Sequence, residues 1–125
     1  MRYSLLIHYS ESGGAEAGAE AMQEAMAAFD MYAKSLESAG VLIVADVLQP
    51  VASSTTVTLR SGILRVQDGP FADTKEQLGG VFLIDVPDLD AALAWAEECP
   101  AAQWGTVEIR PTGVYFADGK WNAAG

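Results

Sequence analysis

The chain has 125 residues, half of them hydrophobic, with 7 basic against 17 acidic side chains and a formal charge of -10 at neutral pH. That length suits one domain with a single core, needing neither disulfide nor metal support. Such a charge argues against nucleic acid, which demands clustered Lys and Arg, and against an anionic membrane surface. Cys99 is the only cysteine, so no intrachain disulfide forms and a reducing cytoplasm is the expected setting.

The first predicted element is a strand over residues 3–9, Tyr-Ser-Leu-Leu-Ile-His-Tyr, whose apolar run is too short for a signal peptide or a membrane span. After the break at 10–14, residues 16–39 read as a helix. Met22, Ala25, Met26, Phe29, Tyr32, Ala33 and Leu36 recur at spacings of three and four, and Met22, Met26 and Phe29 are expected in the core. Gly40 stops this helix, and a second strand covers 41–47. Residues 55–60 and 63–67 form a hairpin about Ser61-Gly62.

A dense loop, Asp68-Gly-Pro-Phe-Ala-Asp-Thr-Lys-Glu-Gln-Leu-Gly-Gly80, then leads into a strand at 81–86. Gly-Pro and Gly-Gly redirect the chain, and the loop is longer and more charged than a plain connection requires. Asp88 is placed to cap an amphipathic helix running through Leu89, Ala92, Leu93 and Ala96, which Pro100 ends, with Leu93 expected in the core. A last strand covers 106–111. Residues 1–116 make one domain, and 117–125 read as a loosely packed tail.

The order β-α-β, hairpin, β-α-β is that of an α+β, ferredoxin-like sandwich with an inserted hairpin, two helices covering one face of an antiparallel sheet. Alternation separates the faces. Tyr3, Leu5, Ile7 and Tyr9, with Val57, Leu59, Phe82, Ile84, Val86, Val107 and Ile109, take the apolar side. The other side mixes Leu6, Val81 and Leu83 with His8, Arg60, Asp85, Glu108 and Arg110. Aliphatics suit contact with another sheet, and ionisable groups suit a polar cleft between the two. A homodimer built sheet on sheet satisfies both, the alternative being a sparsely apolar solvent face.

Asp68-Gly69-Pro70-Phe71, followed by Thr74 to Gly80, Asp85 to Asp90, Ala92 to Ala96, Cys99-Pro100 and Val107 to Pro111, resembles the DGPF-domain branch of the YCII-related proteins across nearly the whole chain. The resemblance implies a ferredoxin-like fold paired into a dimeric α+β barrel. Some relatives resemble small dehydrochlorinases with a His-Asp pair proposed for proton transfer. Others are encoded beside extracytoplasmic-function sigma factors, which suggests a regulatory setting. This chain departs from the His-Asp version, because the helix around Phe29-Asp30-Met31-Tyr32 has no histidine and His8 is the only one.

Candidate catalytic groups are therefore His8, a general base or else a packed strand residue, and Asp85. Candidate ligand-binding groups are Asp68, Asp73 and Lys75 of the loop, read either as a ligand mouth or as turn-capping and solvated charges. Glu76 shares that loop. Glu108 and Arg110 complete the set: the arginine would grip a carboxylate or phosphate, or else form an ion pair across strands. No nucleotide loop, zinc set or calcium loop is present, so no cofactor or metal is expected. Two readings stand: a small-molecule-binding or regulatory dimer, and a small cofactor-independent enzyme moving a proton on a polar or anionic metabolite.

Overall fold

Alternating apolar residues give β1 (Arg2–Tyr9) two unlike sides, and its burial follows suit: Tyr3, Leu5 and Ile7 are buried while their neighbours are half-exposed. The computed structural model describes residues 1–124, and of residues 12–17 the backbone alone. After β1 come α1 (Glu11–Ser38), β2 (Leu42–Val47), β3 (Thr55–Arg60), β4 (Ile63–Asp68) and β5 (Gln77–Asp85). The remaining elements are α2 (Leu89–Glu98), β6 (Thr106–Pro111), β7 (Val114–Ala117) and β8 (Lys120–Ala123). Short 3₁₀ turns fill Val51–Ser53 and Pro100–Gln103.

The central sheet has the order β2-β5-β1-β6, antiparallel throughout. It has two edges and does not close into a barrel within one chain. The expected α+β class, two helices with antiparallel sheets, holds. Tyr3, Leu5, Ile7, Phe82, Ile84 and Val86 meet Tyr32 and Leu36 of α1 and Ala92, Ala96 and Cys99 at α2 in one core. Tyr32 donates its phenolic O–H to the carbonyl of Trp95 at 2.6 Å, tying the helices together under Phe82. Burial raises the pKa of that phenol strongly, with Cys99 and Glu98 adding to the effect, and burial likewise raises that of the Cys99 thiol.

Four expectations are corrected. Met22 and Met26 are exposed, at 52% and 67%, because the inward meridian of α1 runs through Ala25, Ala28, Tyr32 and Leu36. Helical geometry puts both methionines roughly 60–100° off that line. In α2 the residues facing the sheet are Ala92 and Ala96, which let the helix approach closely, while Leu93 lies on its flank and is exposed. The hairpin β3–β4 forms a two-stranded sheet of its own, so Val57 and Leu59 are exposed and Arg60 is not on the central sheet. Of the segment expected as a loose tail, residues 117–123 belong instead to a paired hairpin of β7 and β8, with Phe116 edge-on to Trp121 at 5.3 Å.

Both small sheets turn through residues with positive φ, Ser61-Gly62 (51° and 75°) and Asp118-Gly119 (57° and 74°). That is the tight hairpin geometry whose twist matches the flanking strands. Asp88 caps α2, its side chain accepting the Ala91 N–H at 2.9 Å.

Candidate functional site

The sheet face turned away from the helices is set by strand register. Ser4 lies opposite Arg110, Leu6 opposite Glu108 and His8 opposite Thr106, while Leu6 and Ser4 also meet Val81 and Leu83 of β5. Since paired residues share a face, Ser4, Leu6, His8, Val81, Leu83, Thr106, Glu108 and Arg110 form one surface. Leu6, Val81 and Leu83 are half-buried on it.

Glu108 joins the charged groups. One oxygen, Oε1, lies 3.2 Å from His8 Nε2, and the other, Oε2, lies 3.6 Å from Arg110 Nε. The His8 side chain is 28% exposed and that of Arg110 is 71% exposed, so the row runs from a sheltered imidazole to an open guanidinium. Such a row can exchange a proton between imidazole and carboxylate, and it offers arginine donors to an incoming anion.

The long loop ends beside His8. Thr106 donates its hydroxyl to Glu76 Oε1 at 2.8 Å, and Thr106 is the residue paired with His8. Behind it, Gln77 donates to the Thr74 carbonyl at 2.6 Å, and Thr74 donates to the Glu76 carbonyl at 2.7 Å. The Glu11 N–H donates to Gln77 Oε1 at 3.2 Å, and the Glu11 carboxylate accepts the Val51 N–H at 2.8 Å. These bonds fasten the loop to the start of α1 and to the segment after β2.

A bulge adjusts the register here: Ile7 pairs with Gly80 but His8 with Leu78, leaving Gly79 as the extra residue on β5. A Cβ on Gly79 would overlap the ring of Tyr9. That ring packs edge-on against Trp104 at 5.4 Å on the helix side. Burial, and secondarily the charge of Glu11, raises the Tyr9 pKa, keeping the phenol neutral. An apolar cavity of about 20 Å³ between Tyr9, Phe29, Val47 and Gly80 holds little more than one water.

The residues expected from the sequence are thus partly gathered. His8, Glu108 and Arg110 form one chain of contacts. Asp85 shares their face but pairs with Arg2, six residues along β1, roughly 20 Å from His8. Its carboxylate is held by the amino group of Met1 at 3.0 Å. Asp68 closes β4 opposite Thr55, and Asp73 and Lys75 are exposed in the loop; none of the three bonds to the His8 row. Glu76 was legible as a loop charge, whereas its bond to Thr106 was not.

The YCII-related domain family matches residues 1–113. The chain belongs to that family. It is also similar to an uncharacterised protein of Rhizobium meliloti strain 1021, 34% identical over 117 residues that cover 92% of this chain and 94% of that one. In this YCII-related protein the match spans β1 through β6, and so includes every residue of the His8 row and its loop. No helix among the described residues is long and apolar enough to cross a membrane.

Proposed function

We propose that this protein is a DGPF-type member with a ferredoxin-like fold, working as a homodimer that holds a polar or anionic small molecule between two sheet faces. One observation carries the reading: His8, Glu108 and Arg110 touch in a row on a face that also presents Leu6, Val81 and Leu83. Charged groups without a bound partner are normally spread in water, whereas these are linked beside aliphatic side chains that favour cover. The strand order β2-β5-β1-β6 supports the ferredoxin-like reading. Arg110 would bind the anionic end of the ligand, Glu108 would orient both neighbours, and His8 would recognise a polar group deeper in the cleft.

Metabolite pull-down followed by mass spectrometry tests this. For any compound recovered, Arg110→Ala and His8→Ala should each weaken binding roughly 10- to 100-fold, the worth of one hydrogen bond to a charged group. Both should keep the fold, because neither residue belongs to the core. Unchanged affinity in both variants would remove the site.

A second reading rests on the same 3.2 Å contact between His8 and Glu108. An imidazole beside a carboxylate is a competent proton-transfer pair, so a cofactor-independent lyase or isomerase on an anionic metabolite fits the same cleft. Turnover on a metabolite panel that disappears in both His8→Ala and Glu108→Gln would favour catalysis. Binding without turnover would favour the regulatory dimer.

A further inference from the structure

We infer that the hairpin β3–β4 is an exchange arm whose aliphatic face packs on the β7–β8 hairpin of a second copy of this chain. The inference rests on the homodimer proposed above and specifies how its two copies hold each other.

Among the described residues, nothing packs over the arm's aliphatic face. Every residue of β3 and β4 except Thr56 is exposed, and the two strands pair only with each other. Register places Val57 opposite Val66 and Leu59 opposite Leu64, so all four project from one face, each 59–69% exposed. A lone two-stranded hairpin is marginal in water, and its apolar face requires a partner surface.

That surface exists at the other end of the chain and faces outward. Tyr115 of β7 lies under the guanidinium of Arg2, 3.7 Å from ring centroid to carbon, which turns its side of the hairpin toward the domain. Val114, Phe116 and Trp121 occupy the opposite side by alternation and pairing, at 59%, 59% and 67% exposure. Because the inward side is already fixed, the outward one can be covered only from another molecule.

Area and the matching of the two patches select a second copy. The seven residues are each 59–69% exposed and include a phenylalanine and a tryptophan, so together they offer an area on the order of the ~800 Å² that each partner gives to a stable interface. Each chain carries one uncovered aliphatic arm and one uncovered aromatic hairpin, so a two-fold pair satisfies both with none left over. On the arm, Asp68 shares the face of Val57, Leu59, Leu64 and Val66, while Arg60 and Arg65 project from the other face, so the contact is an apolar one.

The test compares the chain with two double variants, Leu59→Asp with Leu64→Asp on the arm, and Phe116→Ser with Trp121→Ser on the hairpin. Light scattering at micromolar concentration should give twice 13.2 kDa for the unmodified chain. Each variant should dimerise about thirtyfold more weakly or worse, the loss expected for buried anchors. Circular dichroism should show both folded. Mixing the two should restore a dimer, since each mixed pair keeps one intact arm-on-hairpin contact. Hydrogen exchange on the unmodified chain, which needs no variant to fold, should show residues 55–68 protected increasingly with concentration. Native-strength dimers in either variant, no rescue on mixing, or concentration-independent exchange would overturn the arm while leaving the dimer standing. A monomeric unmodified chain would overturn both.

Discussion

Gly79→Ala should cost this protein about 2–4 kcal/mol, far more than one methyl group suggests. The glycine is the extra residue of the β5 bulge, and its Cβ would sit within the ring of Tyr9. Tyr9 has little room to yield, because Trp104 lies edge-on to it at 5.4 Å and Trp104 in turn meets Phe29 at 6.2 Å. Overpacking of this kind costs about 1–3 kcal/mol. Displacing Tyr9 from Trp104 forfeits a further ~0.5–1.5 kcal/mol. For a chain of this size the sum lowers the melting temperature by roughly 10 °C.

Thermal denaturation by circular dichroism measures it, and a double mutant isolates the cause. With Tyr9→Ala already in place, the added alanine at 79 should cost under ~1 kcal/mol, a coupling typical of side chains in direct contact. A Gly79→Ala protein as stable as the parent, or an unchanged cost without the Tyr9 ring, would refute the reasoning. The same strain should reach the site, because the bulge sets His8 opposite Leu78 and so fixes its distance to Glu108.

Tyr32→Phe should cost about 1–1.5 kcal/mol by removing the 2.6 Å bond to the Trp95 carbonyl. It should also flatten the alkaline limb of stability. The folded phenol titrates above its ordinary value of 10.0, so its contribution is intact below that pH and is lost as pH rises toward the folded value. Urea titrations at successive pH values from neutrality upward check the slope, and parallel profiles for the two proteins would contradict it. Asp88→Ala should cost about 1 kcal/mol through the lost cap on Ala91, with Asp88→Asn recovering most of it in the same denaturant assay.

What the sequence revealed depended on how a residue meets its neighbours. Strand faces were legible, because alternation binds each side chain to one face: Leu5, Ile7, Phe82 and Ile84 are buried as expected. Helix faces were misread where size was taken for direction. Met22, Met26 and Leu93 look like core residues, yet at those turns the helices face inward through Ala25, Ala28, Ala92 and Ala96, and Tyr32 and Leu36 are the large side chains they bury in the core. The β7–β8 hairpin was readable in principle from Asp118-Gly119, a two-residue turn signal between aromatic runs. Its four-residue strands are short enough to pass for a tail.

For the site, alternation put His8, Glu108 and Arg110 on one face. Only the register of β1 against β6 brings Glu108 between the other two, and only the pairing of Arg2 with Asp85 carries that carboxylate to the far end. Register is a long-range quantity that the local sequence of a strand does not encode.

The most direct test of the central claim is a nitrogen-edited NMR titration with small carboxylates, phosphates and fractionated metabolite extract, following backbone amides together with the His8 imidazole and Arg110 Nε. A ligand-binding face built on this row should show saturable shifts at residues 4–8, 76–83 and 106–110 that vanish in Arg110→Ala. Saturable shifts confined to the helix side of the sheet, or unchanged in Arg110→Ala, would contradict it.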